Sequence, residues 1–123
     1  GNAWGQIQGL PPRFHSDPAL VEKALQVETS LRIYKGLVCS GDRFITDPVE
    51  LSEIKALFPE GMAVDMESGS IAQVCCMRGI PFLSFRIISD TPGIEGHLAQ
   101  YNHFWDDAPH RSFEVLTSLI AKL

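Results

Sequence analysis

The amino-acid sequence predicts an α/β fold in which helices pack on a largely parallel sheet. Three observations support this prediction. Helical and strand patterns alternate along the chain, as they do in proteins with connected parallel strands. The segment Pro81–Ser89 is almost entirely apolar, which is typical of a strand covered on both faces. Polar residues directly follow the predicted strands, where α/β proteins bind their ligands.

The first half of the chain contains a predicted loop, two helix starts and one strand. Glycines and prolines without a fixed period make residues 1–15 a predicted loop. In Ser16–Pro18 a capping side chain precedes a proline, which predicts a helix start. The β-branched and apolar stretch Arg32–Cys39 predicts a strand. Asp47, followed by proline, predicts a second helix start, and Glu50 stands where it would complete a capping box.

The second half continues the alternation. A short strand is predicted over Met62–Val64 and a helix over Glu67–Arg78, and Gly79 suits the position just past a helix end. Pro81–Ser89 is the third predicted strand. A loop follows, and an amphipathic helix from Ala108 ends the chain. Because three strands form a thin sheet, we expect further strands outside these residues.

Composition and charge argue against several classes of protein. The chain has 123 residues, of which 45% are hydrophobic and 20% are charged, so it has the size and composition of a folded domain. Its formal charge of -5 argues against binding to nucleic acid, which requires a basic face. No apolar run approaches the roughly 20 residues of a membrane span. We therefore expect neither nucleic acid nor membrane as a partner.

The cysteines and histidines argue against disulfides and metals. Three cysteines is an odd count, and Cys75 and Cys76 are adjacent, so a disulfide scaffold is not expected. This cysteine usage favours the reducing environment of the cytoplasm. The histidines match no zinc pattern, and the sequence contains no CxxC motif. We expect no metal and no cofactor.

Two carboxylates directly follow predicted strands, where they could take part in catalysis or ligand binding. Asp90 ends the most apolar strand, where a carboxyl group can hold a proton near neutral pH and give it to a leaving group. Taken alone, Asp90 is better explained as the cap of a DTPG turn. Glu67 stands where a strand becomes a helix, and a carboxylate there can accept hydrogen bonds from the vicinal diol of a ribose. Taken alone, Glu67 is better explained by simple pairing with the helix dipole.

An aromatic residue follows the remaining predicted strand. Phe44 comes after a short Ser-Gly-Asp turn and could stack on a flat heterocycle or lie in the core under a loop. Asp90, Glu67 and Phe44 are more informative together than separately, because parallel strands bring their carboxyl ends to one edge of a sheet. A proton-holding carboxyl, a diol-binding carboxylate and an aromatic platform together indicate a purine nucleoside site.

These segments resemble the methylthioadenosine/S-adenosylhomocysteine nucleosidases, which belong to the nucleoside phosphorylase superfamily. The resemblance rests on Ser40–Ile45, Ala63–Glu67, Ile71–Cys75, Pro81–Phe82 and Arg86–Asp90. It covers nearly the whole chain but only the C-terminal half or so of a family member. It implies a three-layer α/β/α nucleoside phosphorylase/hydrolase-like fold that is partial here. Residues 1–123 are then the C-terminal portion of a single domain, and its N-terminal half is absent.

The resemblance implies roles for the residues around the base. Asp90 is expected to be the catalytic acid that protonates adenine at N7, with support from Ser89. Phe44 is expected to stack on the adenine ring, and Ile45 is expected to meet the edge of the base through its backbone. Protonation makes adenine a better leaving group, so Asp90 has the central role in the implied reaction.

The resemblance also implies roles around the sugar. Met66 is expected to pack beneath the ribose and Glu67 to bind its hydroxyl groups. Tyr101 and Phe104 lie in a segment that resembles the one closing over the 5′-alkylthio group. Arg86 is expected to form a structural ion pair. Asp65 departs from the family pattern, which often has Glu at this position. The role of the Asp65 side chain stays open.

The activity implied by the resemblance is hydrolysis of the N-glycosidic bond of methylthioadenosine and S-adenosylhomocysteine, with release of adenine. The implied partners are an adenine nucleoside and a second copy of the chain in a homodimer. Three alternatives remain at this point. One is a purine nucleoside phosphorylase that uses phosphate, another is a non-catalytic nucleoside-binding or storage relative, and the third is a plain interaction domain.

The resemblance places the general base that activates water near the N-terminus of the complete protein, outside these residues. We therefore expect the 123-residue chain alone not to hydrolyse methylthioadenosine at a useful rate. Adenine release can be followed by chromatography against a blank without protein. Turnover above that blank would contradict the expectation.

Overall fold

The computed structural model describes residues 1–123 except for the side chain of His97. Its six elements follow in the order α1 (Pro18–Leu25), β1 (Leu37–Ser40), α2 (Pro48–Leu57), β2 (Gly61–Asp65), α3 (Ser68–Arg78) and α4 (His97–Ile120). The two strands are parallel, with Val38 opposite Ala63 and Ser40 opposite Asp65. The predicted α/β class with a parallel sheet is confirmed.

Two helices begin where the sequence predicts. Asp17 accepts a hydrogen bond on Oδ1 from the Leu20 amide at 3.0 Å, and Asp47 accepts one from the Val49 amide at 2.8 Å. The capping box predicted for Glu50 does not form, because the Glu50 carboxylate instead pairs with the Arg43 guanidinium. The side chain of Asp47 therefore caps α2 without that partner.

Helix α3 begins against β1 and ends at a glycine. The Gly69 amide donates to Ser40 Oγ at 2.9 Å, and a Cβ at position 69 would lie 3.0 Å from Ser40 Cβ. This close approach ties the first turn of α3 to the end of β1. At the other end, Gly79 has a φ of 63°, and the Ile80 amide donates to the Cys75 carbonyl at 2.9 Å. Gly79 therefore ends the helix as predicted.

The prediction of a third strand over Pro81–Ser89 is wrong within the part of the chain that the structure describes. The sheet there has two strands, and the Phe82 carbonyl takes its hydrogen bond from the amide of Asp17, at 2.7 Å. The segment still follows the two-sided packing that its apolar sequence predicts. Leu83 and Phe85 pack against the core, whereas Arg86 points to the start of α3. A ladder also requires a neighbouring strand, and β1 and β2 do not provide one.

Two other boundaries differ from the prediction. Strand β1 begins at Leu37 rather than Arg32, because its pairing with β2 begins with Leu37 opposite Gly61. Helix α4 begins at His97 rather than near Ala108. Pro109 lies inside this helix, although proline is far more common in a first turn, and the pattern therefore placed the helix start too late.

The buried core lies between the first and last helices. Ala24 and Val27, in and just after α1, meet Val115 and Leu119 of α4, and Phe85 is among the partly buried residues packed on them. The extended segment that contains Phe85 is thereby held between this core and α3. None of the helices in the described residues is both long and apolar enough to cross a membrane.

Candidate functional site

A hollow of about 490 Å³ lies between α2, β2 and the extended segment that leads to residue 92. Its volume is in the range of small-molecule sites. It runs along the whole of β2, from Gly61 to Asp65, and continues past the carboxyl ends of both strands, the edge where open α/β sheets bind ligands. Helix α2 and the residue that follows it supply apolar side chains to one wall, namely Leu51, Ile54 and Phe58. The sequence indicated these three residues only as the apolar stripe of a helix, and that spacing does not distinguish a core from a pocket wall.

Five of the residues predicted for the site line this hollow together, namely Phe44, Ile45, Met66, Ser89 and Asp90. The Phe44 side chain follows the turn after β1 and is 60% exposed, so one face of the ring is accessible. Ser89 and Asp90 are partly buried at the end of the extended segment. The Ser89 hydroxyl donates to Asp90 Oδ1 at 2.6 Å, which fixes the direction of that carboxyl group.

Glu67 stands beside the hollow rather than in its wall. It immediately precedes α3, and its side chain is 55% exposed. Its Oε2 atom accepts hydrogen bonds from the Met66 amide at 3.3 Å and from Arg86 Nη2 at 3.1 Å. Arg86 lines the hollow and therefore connects Glu67 to it. The ion pair expected for Arg86 is present.

The aromatic residues predicted for the 5′ side lie in the first turns of α4. The Tyr101 ring is 6.2 Å from the Phe44 ring, centroid to centroid. Phe104 lines a neighbouring depression of about 460 Å³, which also includes Ser89 and Asp90. Trp105 contacts both Tyr101 and Phe104 edge to face. The structure thus places Tyr101 against Phe44 and Phe104 near Asp90, on the two sides of one aromatic cluster.

Sequence reasoning missed the role of Asp65, which ends β2. Its Oδ1 accepts a hydrogen bond from the Ser68 amide at 3.2 Å, and its Oδ2 contacts the Ser68 hydroxyl and Arg86 Nε, the latter at 2.8 Å. Burial raises the pKa of the Asp65 carboxyl, but hydrogen bonds from Ser68 and Ser40 and the charge of Arg86 lower it more, and the net pKa is below the ordinary value. Asp65 is an anionic anchor.

The arrangement fits an organic ligand better than a metal. Among the side chains that the structure describes, no group of three His, Cys, Asp or Glu residues is placed to hold a metal ion. The wall of the hollow combines apolar side chains and an exposed phenyl ring with two carboxyl groups, Asp65 and Asp90, and three basic groups, Arg43, Lys55 and Arg86. A mostly apolar wall with a few polar groups is typical of sites for small organic ligands.

The fold and the hollow define an α/β protein with a parallel sheet and an open hollow that reaches its carboxyl edge. The sequence model of the phosphorylase superfamily matches residues 1–121. The chain therefore belongs to the phosphorylase superfamily, and this confirms the family assignment that the sequence motifs indicated.

Named relatives agree with this assignment. A 5′-methylthioadenosine/S-adenosylhomocysteine nucleosidase from Geobacillus kaustophilus is 39% identical over 98% of this chain and 52% of its own length. A nucleosidase of the same name from Neisseria meningitidis, solved with methylthio-immucillin-A, has a TM-score of 0.89 and 35% identity over all of this chain and 54% of its own. A Borrelia burgdorferi B31 structure bound to adenine, provisionally given that name, has a TM-score of 0.91 and 32% identity, with the same coverage. The chain spans about half the length of these relatives.

The low pKa of Asp65 predicts how stability depends on pH. The ionised carboxylate stabilises the fold above the ordinary aspartate pKa of about 3.9, and this contribution is lost as the pH falls through the lowered pKa of the folded state. Asp65→Asn should therefore lower the free energy of unfolding at about pH 7 by more than at about pH 3.

Urea denaturation at the two pH values measures this difference. Asp106→Asn is the control, because the Asp106 side chain is 80% exposed on α4. Equal losses of stability at both pH values for Asp65→Asn would contradict the proposed electrostatic role.

Proposed function

We propose that the protein hydrolyses the N-glycosidic bond of 5′-methylthioadenosine and S-adenosylhomocysteine and releases adenine. One observation carries the proposal: Phe44, Met66 and Asp90 line a single hollow, and Glu67 is joined to that hollow through Arg86. An aromatic ring can stack on a purine base, and carboxyl groups can donate a proton to the base or accept hydrogen bonds from ribose hydroxyls. The names and ligands of the relatives support the same substrate class.

Asp90 is the proposed general acid. Cleavage of the glycosidic bond leaves positive charge on the sugar and electrons on adenine, which is a poor leaving group until it is protonated. In the proposed step Asp90 gives its proton to N7 as the bond breaks. The hydrogen bond from Ser89 occupies Oδ1, and the proton to be transferred is then carried by Oδ2. General acid catalysis of this kind contributes about 10²–10⁴-fold.

Glu67 and Phe44 are the proposed substrate-positioning groups. The exposed Glu67 carboxylate accepts hydrogen bonds from the ribose diol and places negative charge near the developing cation. The accessible face of Phe44 stacks on adenine, and the half-buried Ile45 meets the edge of the base through its backbone. Met66 lies beneath the sugar. Tyr101 and Phe104 contribute the apolar surface for the 5′-alkylthio group.

Water is the proposed nucleophile. The residue that deprotonates it is expected in the half of the family length that this chain does not span. A phosphorylase would use phosphate at the same position. Hydrolysis is preferred because the relatives that match nearly all of the chain are named nucleosidases.

The proposed location is the cytoplasm. The free cysteines 39, 75 and 76 fit a reducing environment of this kind.

Replacing Asp90 with asparagine removes the transferable proton but keeps a side chain of the same shape. In the complete protein, Asp90→Asn should lower kcat for methylthioadenosine about 10²–10⁴-fold. Asp42→Asn, in the exposed turn before Phe44, is the control. Release of adenine is measured by chromatography with and without added phosphate.

Each outcome of this experiment has a separate meaning. Free methylthioribose as the sugar product, at a rate independent of phosphate, is the expected result. A strict requirement for phosphate would replace hydrolysis with phosphorolysis. Unchanged kcat in Asp90→Asn would remove Asp90 from the mechanism.

A homodimer is also proposed. Helix α3 and the residue after its glycine end carry large apolar side chains that are more than half exposed, namely Ile71, Val74, Met77 and Ile80. A second copy of the chain is the proposed cover for this face. Val74→Glu should convert the dimer to a monomer in light scattering, whereas Val49→Glu, at a similarly exposed site on α2, should not. A monomeric unaltered protein, or a dimer that tolerates Val74→Glu, would contradict the proposal.

A further inference from the structure

We propose that Asp65 is a positioning residue that sets the direction of the Glu67 carboxylate through the Arg86 guanidinium. The inference rests on the proposed function, in which Glu67 binds the ribose diol. It gives a role to a side chain, Asp65, whose role the sequence left open. Three features carry it: the fixed position of Asp65, the shared guanidinium of Arg86, and the atom of Glu67 that remains available.

Both the backbone and the side chain of Asp65 are held in place by hydrogen bonds. It is the last residue of β2, where it pairs with Ser40, and its carbonyl oxygen accepts a hydrogen bond from the Gly41 amide at 3.0 Å. Its side chain is only 9% exposed and accepts from the Ser68 amide at the start of α3. A carboxylate held in this way has little freedom to rotate.

Arg86 joins Asp65 and Glu67 through two different nitrogen atoms. Its Nε contacts Asp65 Oδ2 at 2.8 Å, and its Nη2 contacts Glu67 Oε2 at 3.1 Å. The guanidinium is planar and rigid, so an anchor on Nε fixes the direction in which Nη2 points. The position of the Asp65 carboxylate thereby determines where the Glu67 carboxylate is held.

Two serine hydroxyls, those of Ser68 and Ser84, form a chain of contacts that ends on the Asp65 carboxylate. The Ser68 hydroxyl contacts Asp65 Oδ2 and lies 2.7 Å from the hydroxyl of Ser84 and 3.4 Å from Arg86 Nε. Ser84 and Arg86 belong to the same extended segment and point to the same side. Ser68 is 7% exposed, so these contacts are shielded from solvent, which strengthens them.

Glu67 is left with one carboxylate oxygen for a ligand. Both of its hydrogen bonds to described residues, from the Met66 amide and from Arg86, are made by Oε2. Oε1 accepts none from the side chains and backbone that the structure describes. With Oε2 held, Oε1 is directed rather than free to rotate, and a ribose hydroxyl meets a carboxylate that is already oriented. Preorganisation of this kind increases affinity because less freedom is lost on binding.

The test compares a ligand that has the sugar-like ring with one that lacks it. Methylthio-immucillin-A is the nucleoside analogue, and adenine is the base alone. Kd values are measured calorimetrically for the complete protein and for Asp65→Asn. Because Asp65 acts on the sugar side only, Asp65→Asn should weaken the analogue by about 10- to 100-fold, the size of a charge-assisted hydrogen bond, and leave adenine within about 2-fold.

Three further variants separate positioning from general support of the fold. Asp65→Glu restores a carboxylate and should recover part of the affinity. Glu67→Gln should weaken the analogue by itself, and adding Asp65→Asn to it should cause little further loss, because Asp65 acts through Glu67. Glu60→Gln is the control, since it removes a carboxylate that pairs with an arginine, Arg13, and neither of these two residues lines the hollow.

The outcomes are distinguishable. Loss of analogue affinity with adenine binding retained supports the inference. An unchanged ratio of the two Kd values in Asp65→Asn, or fully additive effects with Glu67→Gln, overturns it and leaves the proposed function intact. If the unaltered protein binds neither ligand, or binds the analogue no better than adenine, the proposed function fails and the inference fails with it.

Discussion

The contact between the buried Asp65 carboxylate and Arg86 is the interaction on which the rest of the site depends. Asp65 ends β2 and meets the start of α3, whereas Arg86 belongs to the extended segment after α3. One ion pair therefore joins three parts of the chain at the carboxyl edge of the sheet. Asp65 is nearly buried, so loss of Arg86 would be costly because it would leave a buried carboxylate without its cation.

The same interaction explains how an extended segment without a ladder keeps its place. Residues 83–90 make no strand pairing with β1 or β2, and side chains hold them instead. Leu83 and Phe85 pack into the core between α1 and α4, whereas Ser84 and Arg86 bind the start of α3. These alternating contacts fix the orientation of the segment. The segment in turn places Ser89 and Asp90 at the hollow. The placement of the proposed acid thus depends on side-chain packing rather than on backbone pairing.

Much of this structure could be predicted from local sequence signals. Asp17 and Asp47 were identifiable as helix caps because the capping residue, the proline and the apolar stripe all agree. Gly79 was identifiable because a helix that ends in a left-handed turn favours glycine. The meeting of Phe44 and Met66 followed from the rule that parallel strands bring their carboxyl ends to one edge, whereas Asp90 reaches the same hollow on a segment that is not a strand. Their catalytic roles are a separate matter and came from the family resemblance.

The rest required three-dimensional information. Nothing in the pattern of Pro81–Ser89 shows whether a neighbouring strand is present. The pattern of apolar residues indicates which side chains are buried, but not whether the backbone pairs with another strand. The Asp65–Arg86 contact joins residues that are far apart in sequence, and no spacing rule predicts it. The Leu51–Phe58 stripe of α2 has the same spacing whether it meets a core or lines a pocket.

The central claim is that the Asp90 and Glu67 carboxyl groups act on one adenine nucleoside. A crystal structure of the complete protein with methylthio-immucillin-A tests it most directly. The account predicts Asp90 within about 3 Å of N7 of the base, Glu67 at the same distance from the sugar-ring hydroxyls, and Phe44 against the base. A ligand bound in the hollow with either carboxyl group out of reach of it would contradict the account.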